Sequence, residues 1–227
     1  MLTNTQSAFL LHSRPYKENQ LLLDFITEHD GKVSAITFSG NSVKSSKKAL
    51  LQPFLPLNIS YKGQRSLKHL TLVEAVGKSY AFQGNYLYSG FYLNELMVRL
   101  LGELIPCPAL YQQYQQSLLA LNEQHTIEIV LRNFEMVLLE ELGQTIDFDE
   151  LYMSAASHFY YIAEHGFIPA INKLPQPCYD KHHLLAIAEQ NFADDKTLYS
   201  FKLLMRQIMA PLLGNKPLNS RKLFTKK

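Results

Sequence analysis

Residues 8–38, AFLLHSRPYKENQLLLDFITEHDGKVSAITF, decide the fold of the N-terminal third of the chain. Short runs rich in Leu, Ile, Val and Phe alternate here with turn-forming residues, which is the pattern of antiparallel strands. Asp30-Gly31 predicts a tight hairpin, because glycine accepts a positive φ at no steric cost. A break in the first strand is expected near Arg14-Pro15. The strands predicted from this stretch cover residues 8–12, 20–27 and 32–38.

Two further runs, residues 58–62 and 67–76, flank Gly63-Gln64-Arg65 and predict a second hairpin. A polar and then weakly helical segment, residues 40–52, separates them from the first three strands. Five strands with a longer insertion after the third are the layout of a small OB-type barrel. The predicted fold class is therefore α+β, with an OB-fold barrel over residues 1–80 and an all-helical domain over residues 81–227.

The hydrophobic period changes to that of a helix after Gly84. Thr126 is expected to cap one helix through its hydroxyl, and Pro211 and Gly214 are expected to end the last one. Residues 144–180 lack a clear period and are predicted to be an irregular insert. The helices predicted from the apolar spacing cover residues 86–101, 111–121, 126–143, 181–191 and 194–209.

Charge is unevenly distributed, although the formal net charge is only +2. Residues 1–80 contain ten Lys and Arg against five Asp and Glu, residues 81–213 seven against fifteen, and residues 214–227 five against none. A basic head and a basic tail suggest that a polyanion binds at the two ends of the chain. The alternative is that the cations only solvate strands and a frayed terminus.

The candidate DNA-binding cations occupy the barrel strands, the segment between its hairpins and the C-terminal tail. Side chains of this type bind phosphate oxygens as point charges. Phe38, Phe54 and Tyr61 could stack on bases or could belong to the barrel core. The cations are Arg14, Lys17, Lys32, Lys44, Lys47, Lys48, Lys62, Arg65, Lys68, Lys216, Arg221 and Lys222.

No residue pattern for catalysis is present: the sequence has no nucleotide-binding glycine loop, no G-x-S-x-G and no evident activated cysteine. His158, His165, Cys178, His182 and His183 match no standard zinc spacing, so neither a metal nor another cofactor is predicted. Two cysteines do not make a disulfide framework. With no signal-peptide pattern and no apolar run of roughly 20 residues, a cytoplasmic protein is expected.

Several stretches, in order along residues 8–224, resemble the bacterial recombination mediator family RecO. They are the opening strands quoted above, KKALLQPFLPL, LYSGFYLNELMVRLL, LRNFEMVLLEELG, HGFIPA and LGNKPLNSRKLF. The resemblance implies an OB-fold that binds single- and double-stranded DNA, anneals complementary strands and, with RecR, helps load RecA. It also implies a cytoplasmic, nucleoid-associated protein that is not an enzyme.

The resemblance further implies that the helical domain binds the C-terminal tail of the single-strand-binding protein, SSB, which is an acidic peptide ending in Phe. Arg132, and less directly Arg206, are the candidates for pairing with that tail; a snorkelling arginine paired with a nearby Glu is the alternative. Many family members carry a four-cysteine zinc module in the region of residues 144–180, where this chain retains only Cys178. Two other functions remain open, an adaptor that binds protein rather than DNA and a metal-dependent nuclease or hydrolase that uses the histidines and the acidic residues.

Overall fold

The computed structural model describes residues 5–38 and 49–224. Its N-terminal strands close into a barrel in the order β1-β2-β3-β5-β4, which confirms the predicted fold class. Strands β3 and β5 are parallel neighbours, and the other neighbours pair antiparallel. The barrel strands are β1 (Gln6–Tyr16), β2 (Gln20–Thr27), β3 (Gly31–Phe38), β4 (Leu57–Lys62) and β5 (Lys68–Ala75).

The interior of the barrel is filled by alternate residues of its strands, as the period of two requires. Leu23 and Phe25 of β2 point inward, as do Leu57 and Ile59 of β4. Strands with this alternation bury one face and leave the other available to solvent or to a helix. The buried cluster consists of Ala8, Leu10, Leu23, Phe25, Ala35, Leu55, Leu57, Ile59, Leu70 and Val73.

Strand β1 continues through Arg14 and Pro15, so the break predicted there is wrong. Arg14 pairs with Leu22 and Pro15 with Leu21, and the register shifts earlier, between Leu10 and His12. Strand β4 pairs with β1 only along Gln6–Ala8. Proline is tolerated on an edge strand because no neighbouring strand requires its missing N–H. The extension carries Arg14 to the end of the first hairpin.

The hairpin between β2 and β3 is the tight turn predicted at Asp30-Gly31. Thr27 Oγ1 accepts from Asp30 N at 3.2 Å and donates to Gly31 O at 2.9 Å. Gly31 has a φ of 65°, and a Cβ there would lie 1.9 Å from Ile105 O. Glycine is therefore required twice, for its backbone conformation and for the close approach of the loop before the second helix.

The helices follow the predicted order, with differences at their ends. Thr126 occupies the position before α3 but makes no side-chain capping bond. Pro211 lies inside the last turn of α6, which continues to Leu213 and ends at Gly214, whose N–H donates to Ala210 O and Pro211 O. The helices are α1 (Gly84–Leu100), α2 (Pro108–Asn122), α3 (Ile127–Glu141), α4 (Asp149–Met153), α5 (Lys181–Ala188) and α6 (Asp195–Leu213), with a 3-10 helix at Ser220–Leu223.

The region predicted to be irregular contains a small antiparallel sheet in addition to α4. Its strands β6 (His158–Ile162), β7 (Gly166–Pro169) and β8 (Cys178–Asp180) have the order β7-β6-β8. The C-terminal half is therefore mostly rather than entirely helical. Phe159, Phe167 and Tyr179 are buried, so apolar packing supports this region.

The chain forms two compact units, one of Met1–His125 with Pro217–Lys227 and the other of Thr126–Lys216. The first unit holds the barrel, α1 and α2, so its limits differ from the proposed boundary at residue 80. A buried network fixes α1 to β1: Asn94 Nδ2 donates to Leu11 O at 3.1 Å, and Tyr114 Oη donates to Asn94 Oδ1 at 2.6 Å. Burial raises the pKa of Tyr114 far above its ordinary value, so its hydroxyl stays a donor.

Candidate nucleic-acid interface

Four of the predicted barrel cations are exposed at the ends of two hairpins. Arg14 and Lys17 lie at the turn between β1 and β2, and Lys62 and Arg65 at the turn between β4 and β5. Within residues 5–38 and 49–224, no carboxylate lies within ion-pair distance of these four side chains. Their charges are therefore available to a polyanion.

The two hairpins form separate groups of cations. Strand β4 runs antiparallel to β1, so the turns after Tyr16 and after Lys62 leave this strand pair in opposite directions. Lys17 Nζ lies 5.5 Å from the ring centroid of Tyr16, which places an ammonium over an aromatic face at the first turn. The first group therefore combines charge with aromatic surface.

Phe38 lies at the same end of the barrel as Arg14 and Lys17. It pairs with Gln20, and Gln20 pairs with Tyr16 across the hairpin. Its side chain is 73% exposed, which is unusual for a residue that ends a core strand. Of the three aromatic residues considered for stacking, Phe38 alone is open to solvent. Phe54 is 3% exposed, and Tyr61 donates its hydroxyl hydrogen to Asp30.

Lys32 and Lys68 do not belong to the exposed set. The Lys32 ammonium donates to Val98 O at 3.1 Å, and the Lys68 ammonium donates to Gly63 O at 3.1 Å. Lys68 is only 9% exposed. Both cations are held by backbone carbonyls of the first unit, so neither presents its charge as the two hairpins do. Lys44, Lys47 and Lys48 lie outside the described residues.

The C-terminal segment is docked on α1 and is not frayed over the residues described. Glu95 Oε1 accepts from Asn219 N at 2.9 Å, and its Oε2 accepts from Ser220 N at 2.8 Å and from Ser220 Oγ at 2.7 Å. Arg221 and Lys222 are exposed on this segment, whereas Lys216 ends the other unit. Burial alone would raise the pKa of Glu95, but the hydrogen bonds from Ser220 and Asn219 and the charge of Arg99 lower it below its ordinary value.

Arg132 is buried in the second unit, which differs from the exposed cation expected beside an apolar groove. It is 5% exposed, and its guanidinium lies 2.8 Å from Glu135 Oε1. Arg132 Nε is also buried, with no hydrogen-bond acceptor among the described residues. Arg206, on α6, is exposed. Lys202 of the same helix bonds Glu128 of α3 at 2.5 Å.

His158 and His183 of the second unit each lie near a carboxylate and a hydroxyl. His183 Nε2 lies 3.5 Å from Asp194 Oδ2, and its Nδ1 lies 3.4 Å from Ser200 Oγ. His158 Nε2 lies 4.0 Å from Asp180 Oδ2. Among the residues that the structure describes, no three His, Cys, Asp or Glu side chains converge as a metal site would require. The helices within the described ranges are also too short or too polar to span a bilayer.

Comparison with known proteins shows similarity to one family along nearly the whole chain. The family model described as recombination protein O N terminal matches residues 1–78, and recombination protein O C terminal matches residues 81–168. A DNA repair protein RecO from Tolumonas auensis is 41% identical over 96% of this chain and 93% of the relative. Those of Haemophilus influenzae Rd and Cellvibrio japonicus are 38% and 39% identical, each over 99% of this chain and 97% and 98% of the relative. This chain belongs to the RecO family.

The first RecO match ends at residue 78 and the second begins at 81, between the last barrel strand and α1. The second match stops at residue 168, within β7, so it leaves out the docked C-terminal segment. In this RecO chain the region of the four-cysteine module holds α4 and the β6–β8 sheet, with Cys178 as an exposed free thiol.

Sequence reasoning missed Glu95. Its spacing from Arg99 is that of an ordinary i, i+4 surface pair, and Arg99 Nη1 lies 4.0 Å from Glu95 Oε1. Its principal partners are 124 and 125 residues away in sequence, so no local pattern could reveal them. Only the return of the chain to the first unit brings this RecO residue and the tail together.

Proposed function

We propose that this RecO-family chain binds single- and double-stranded DNA through its barrel unit and anneals complementary strands in DNA repair. One observation carries the proposal, namely that Arg14 and Lys17, which have no carboxylate partner among the described residues, lie at the same end of the barrel as the exposed ring of Phe38. Cations that track the backbone and an aromatic ring that stacks on bases are the two parts of a sequence-tolerant single-strand site. Lys44, Lys47 and Lys48 lie six to ten residues after Phe38 in the sequence, and we predict that they bind DNA as well.

Annealing requires no covalent step, so the function that we propose is not that of an enzyme. Two DNA strands repel each other, and a surface that neutralises both backbones lowers the free energy needed to bring them together. Binding that depends on phosphate contacts is nearly independent of base sequence and weakens steeply as salt rises. Lys62, Arg65, Arg221 and Lys222 supply further cations on the same unit, which gives a second strand somewhere to bind.

Three partners complete the proposal: RecR, RecA, which would be loaded with the help of RecR, and the acidic C-terminal tail of SSB. Arg206 is the exposed cation for that tail on the second unit. Arg132 is a second candidate for binding that tail, because an incoming carboxylate would accept a hydrogen bond from its buried Nε. The Glu135 carboxylate already beside Arg132 is the group that such a ligand would have to displace or share.

A fluorescence titration against single-stranded DNA over a range of salt concentrations tests DNA binding. Arg14→Ala with Lys17→Ala, and separately Lys44→Ala with Lys47→Ala and Lys48→Ala, should reduce the slope of log affinity against log salt by roughly 0.7 per lost phosphate contact. Annealing of SSB-coated strands should fall in the same variants. The matched control is Lys173→Ala with Lys196→Ala, which removes two exposed lysines of the other unit.

Three results would contradict the proposal or one of its parts. An unchanged slope in either variant would remove those residues from the site. No DNA affinity of the wild-type chain at low salt would favour the adaptor. Strand cleavage that a chelator abolishes would favour the metal-dependent nuclease.

A further inference from the structure

We infer that Glu95 is a positioning residue for DNA binding, because its carboxylate holds the C-terminal segment on α1 and thereby fixes Arg221 and Lys222 on the barrel unit. The inference rests on the DNA binding proposed above. An acidic residue would thus strengthen the binding of a polyanion, which is the reverse of the effect that its charge alone predicts.

The contact is built on the carboxylate. Both oxygens of Glu95 accept, one from Asn219 N and the other from Ser220 N and Ser220 Oγ, at 2.7–2.9 Å. Ser220 and the preceding Leu218 are buried, at 4% and 2% exposure, so the segment is packed as well as hydrogen-bonded. A carboxylate that accepts three short hydrogen bonds is a strong local anchor, because charge-assisted bonds exceed neutral ones in strength.

The segment follows one face of α1 over two turns. Phe224 contacts Tyr88 edge-on with ring centroids 5.5 Å apart, and the Arg221 guanidinium lies 5.9 Å from the ring centroid of Tyr92. Residues 88, 92 and 95 share a helix face through i, i+4 and i+3 spacing, so the segment runs antiparallel to α1. Glu95 supplies the charged contact in this series, and the aromatic contacts orient the cations.

Helix α1 is itself fixed to the barrel. Asn94 donates to Leu11 O of β1, and Lys32 of β3 donates to Val98 O. The path from the barrel strands through α1 to Arg221 and Lys222 is therefore made of packed, hydrogen-bonded groups. Cations held in this way lose little conformational entropy when a phosphate binds, whereas cations on a free tail must be ordered at that step.

The charge of Glu95 and its contacts with the C-terminal segment should change DNA affinity in opposite directions. Removal of one negative charge near a DNA site should strengthen DNA binding if the charge acts only through its field. Removal of the anchor should weaken binding if the docked tail contributes contacts. Glu95→Ala changes both, and Glu74→Ala changes only the field, because Glu74 is an exposed acid of β5 in the same unit.

The experiment uses the full-length chain and two readouts. Limited trypsin digestion with mass spectrometry follows cleavage after Arg221 and Lys222, and fluorescence anisotropy measures affinity for a single-stranded oligonucleotide against salt. Glu95→Ala should accelerate that cleavage several-fold, weaken binding by about three- to twentyfold and lower the salt slope. Glu74→Ala should leave cleavage unchanged and leave binding equal or slightly tighter. Glu95→Gln, which keeps the side-chain shape, provides a milder second variant.

A double-mutant cycle separates positioning from general destabilisation. In a chain that already carries Arg221→Ala and Lys222→Ala, the change Glu95→Ala should cost no further DNA affinity, because the cations it positions are gone. Additive losses would overturn the inference, as would unchanged cleavage or faster cleavage with unchanged or tighter binding. A wild-type chain that binds no DNA at low salt would overturn the proposed function itself, and the digestion would still show whether Glu95 holds the tail.

Discussion

Phe38 is the residue at which charge and stacking contributions to DNA binding can be separated. It is a large apolar side chain left 73% exposed at the end of β3, and it carries no charge. Phe38→Ala should weaken binding of single-stranded DNA by about 1–3 kcal/mol, the usual contribution of one stacked base, and leave the salt slope unchanged. The affinity measured across salt concentrations checks both quantities.

Two controls accompany this change. Phe38→Tyr keeps the aromatic face and should retain binding, whereas Tyr199→Ala removes an exposed ring from the other unit and should have no effect. Thermal unfolding of Phe38→Ala should be close to wild type, because exposed residues contribute little packing. A reduced salt slope would mean that the substitution disturbs the neighbouring cations, and wild-type affinity would exclude Phe38 from the site.

At the same scale, the sequence identifies cations but not their neighbours. Lys32, Lys68 and Arg132 have the same residue types as Arg14 and Arg206, yet each of the first three is held by a backbone carbonyl or a carboxylate. The Arg132 charge can be buried because Glu135, three residues on, pairs with it. From the sequence alone, the same i, i+3 spacing is equally compatible with an exposed pair. Composition therefore predicts a basic barrel, whereas tertiary contacts select the residues available to DNA.

The docked C-terminal segment gives an element-scale prediction about pH. Because the pKa of Glu95 is lowered in the folded chain, its contribution to docking is fully present above the ordinary value of 4.5 and is lost as the pH falls through the lowered value. The cation beside it is Arg99 of α1, and Arg221 follows Ser220 on the segment and lies over the Tyr92 ring. The segment should therefore remain docked at pH 5 and detach at more acidic pH.

Nuclear magnetic resonance of the Ser220 amide measures this release, because that N–H donates directly to Glu95. The amides of Leu57 and Ile59 in the barrel core report whether the unit as a whole unfolds. In Glu95→Gln the acid transition at Ser220 should disappear, because no titrating carboxylate remains. A Ser220 resonance that is unchanged until the barrel itself unfolds would contradict the prediction.

Among the elements, the sequence predicts those whose conformation depends mainly on residues close together in the chain. The Asp30-Gly31 hairpin and the apolar period of α1 follow from backbone conformation and from one buried face. The β6–β8 sheet has strands of only three to five residues, too short for a reliable alternation, and its stability comes from buried aromatic residues. Pro15 illustrates the same limit, since its tolerance depends on a missing neighbour strand that the local sequence does not specify.

At the scale of the whole molecule, the change from strand to helix does not coincide with the division into compact units. Helices α1 and α2 belong with the barrel, and the last residues return to it after the second unit is complete. The sequence shows where periodicity changes, near residue 80, but long-range contacts such as those of Glu95 decide what packs together. A basic terminus that composition alone describes as frayed is for this reason part of the first unit.

The two units predict that DNA binding and SSB-tail binding can be separated by mutation. Arg206→Ala should weaken binding of a synthetic acidic peptide ending in Phe by about tenfold, the typical effect of removing a charged hydrogen-bond partner. Arg132→Ala would leave the buried Glu135 carboxylate without its cation and destabilise the fold by about 3–5 kcal/mol. The better test of Arg132 is Arg132→Met with Glu135→Leu, which replaces the whole pair by apolar groups and should lose peptide binding in a folded chain.

Isothermal titration with the peptide, and anisotropy with single-stranded DNA, are measured on the same preparations. The peptide with an amidated C-terminus, which lacks the terminal carboxylate, should bind wild type weakly and should not distinguish the variants. Affinity for naked DNA should stay within about twofold of wild type in each variant, because the DNA-binding cations that we propose on the barrel lie in the other unit. Equal loss of peptide and DNA binding in a variant with wild-type unfolding would show that both ligands depend on one surface, and the assignment of separate sites would be wrong.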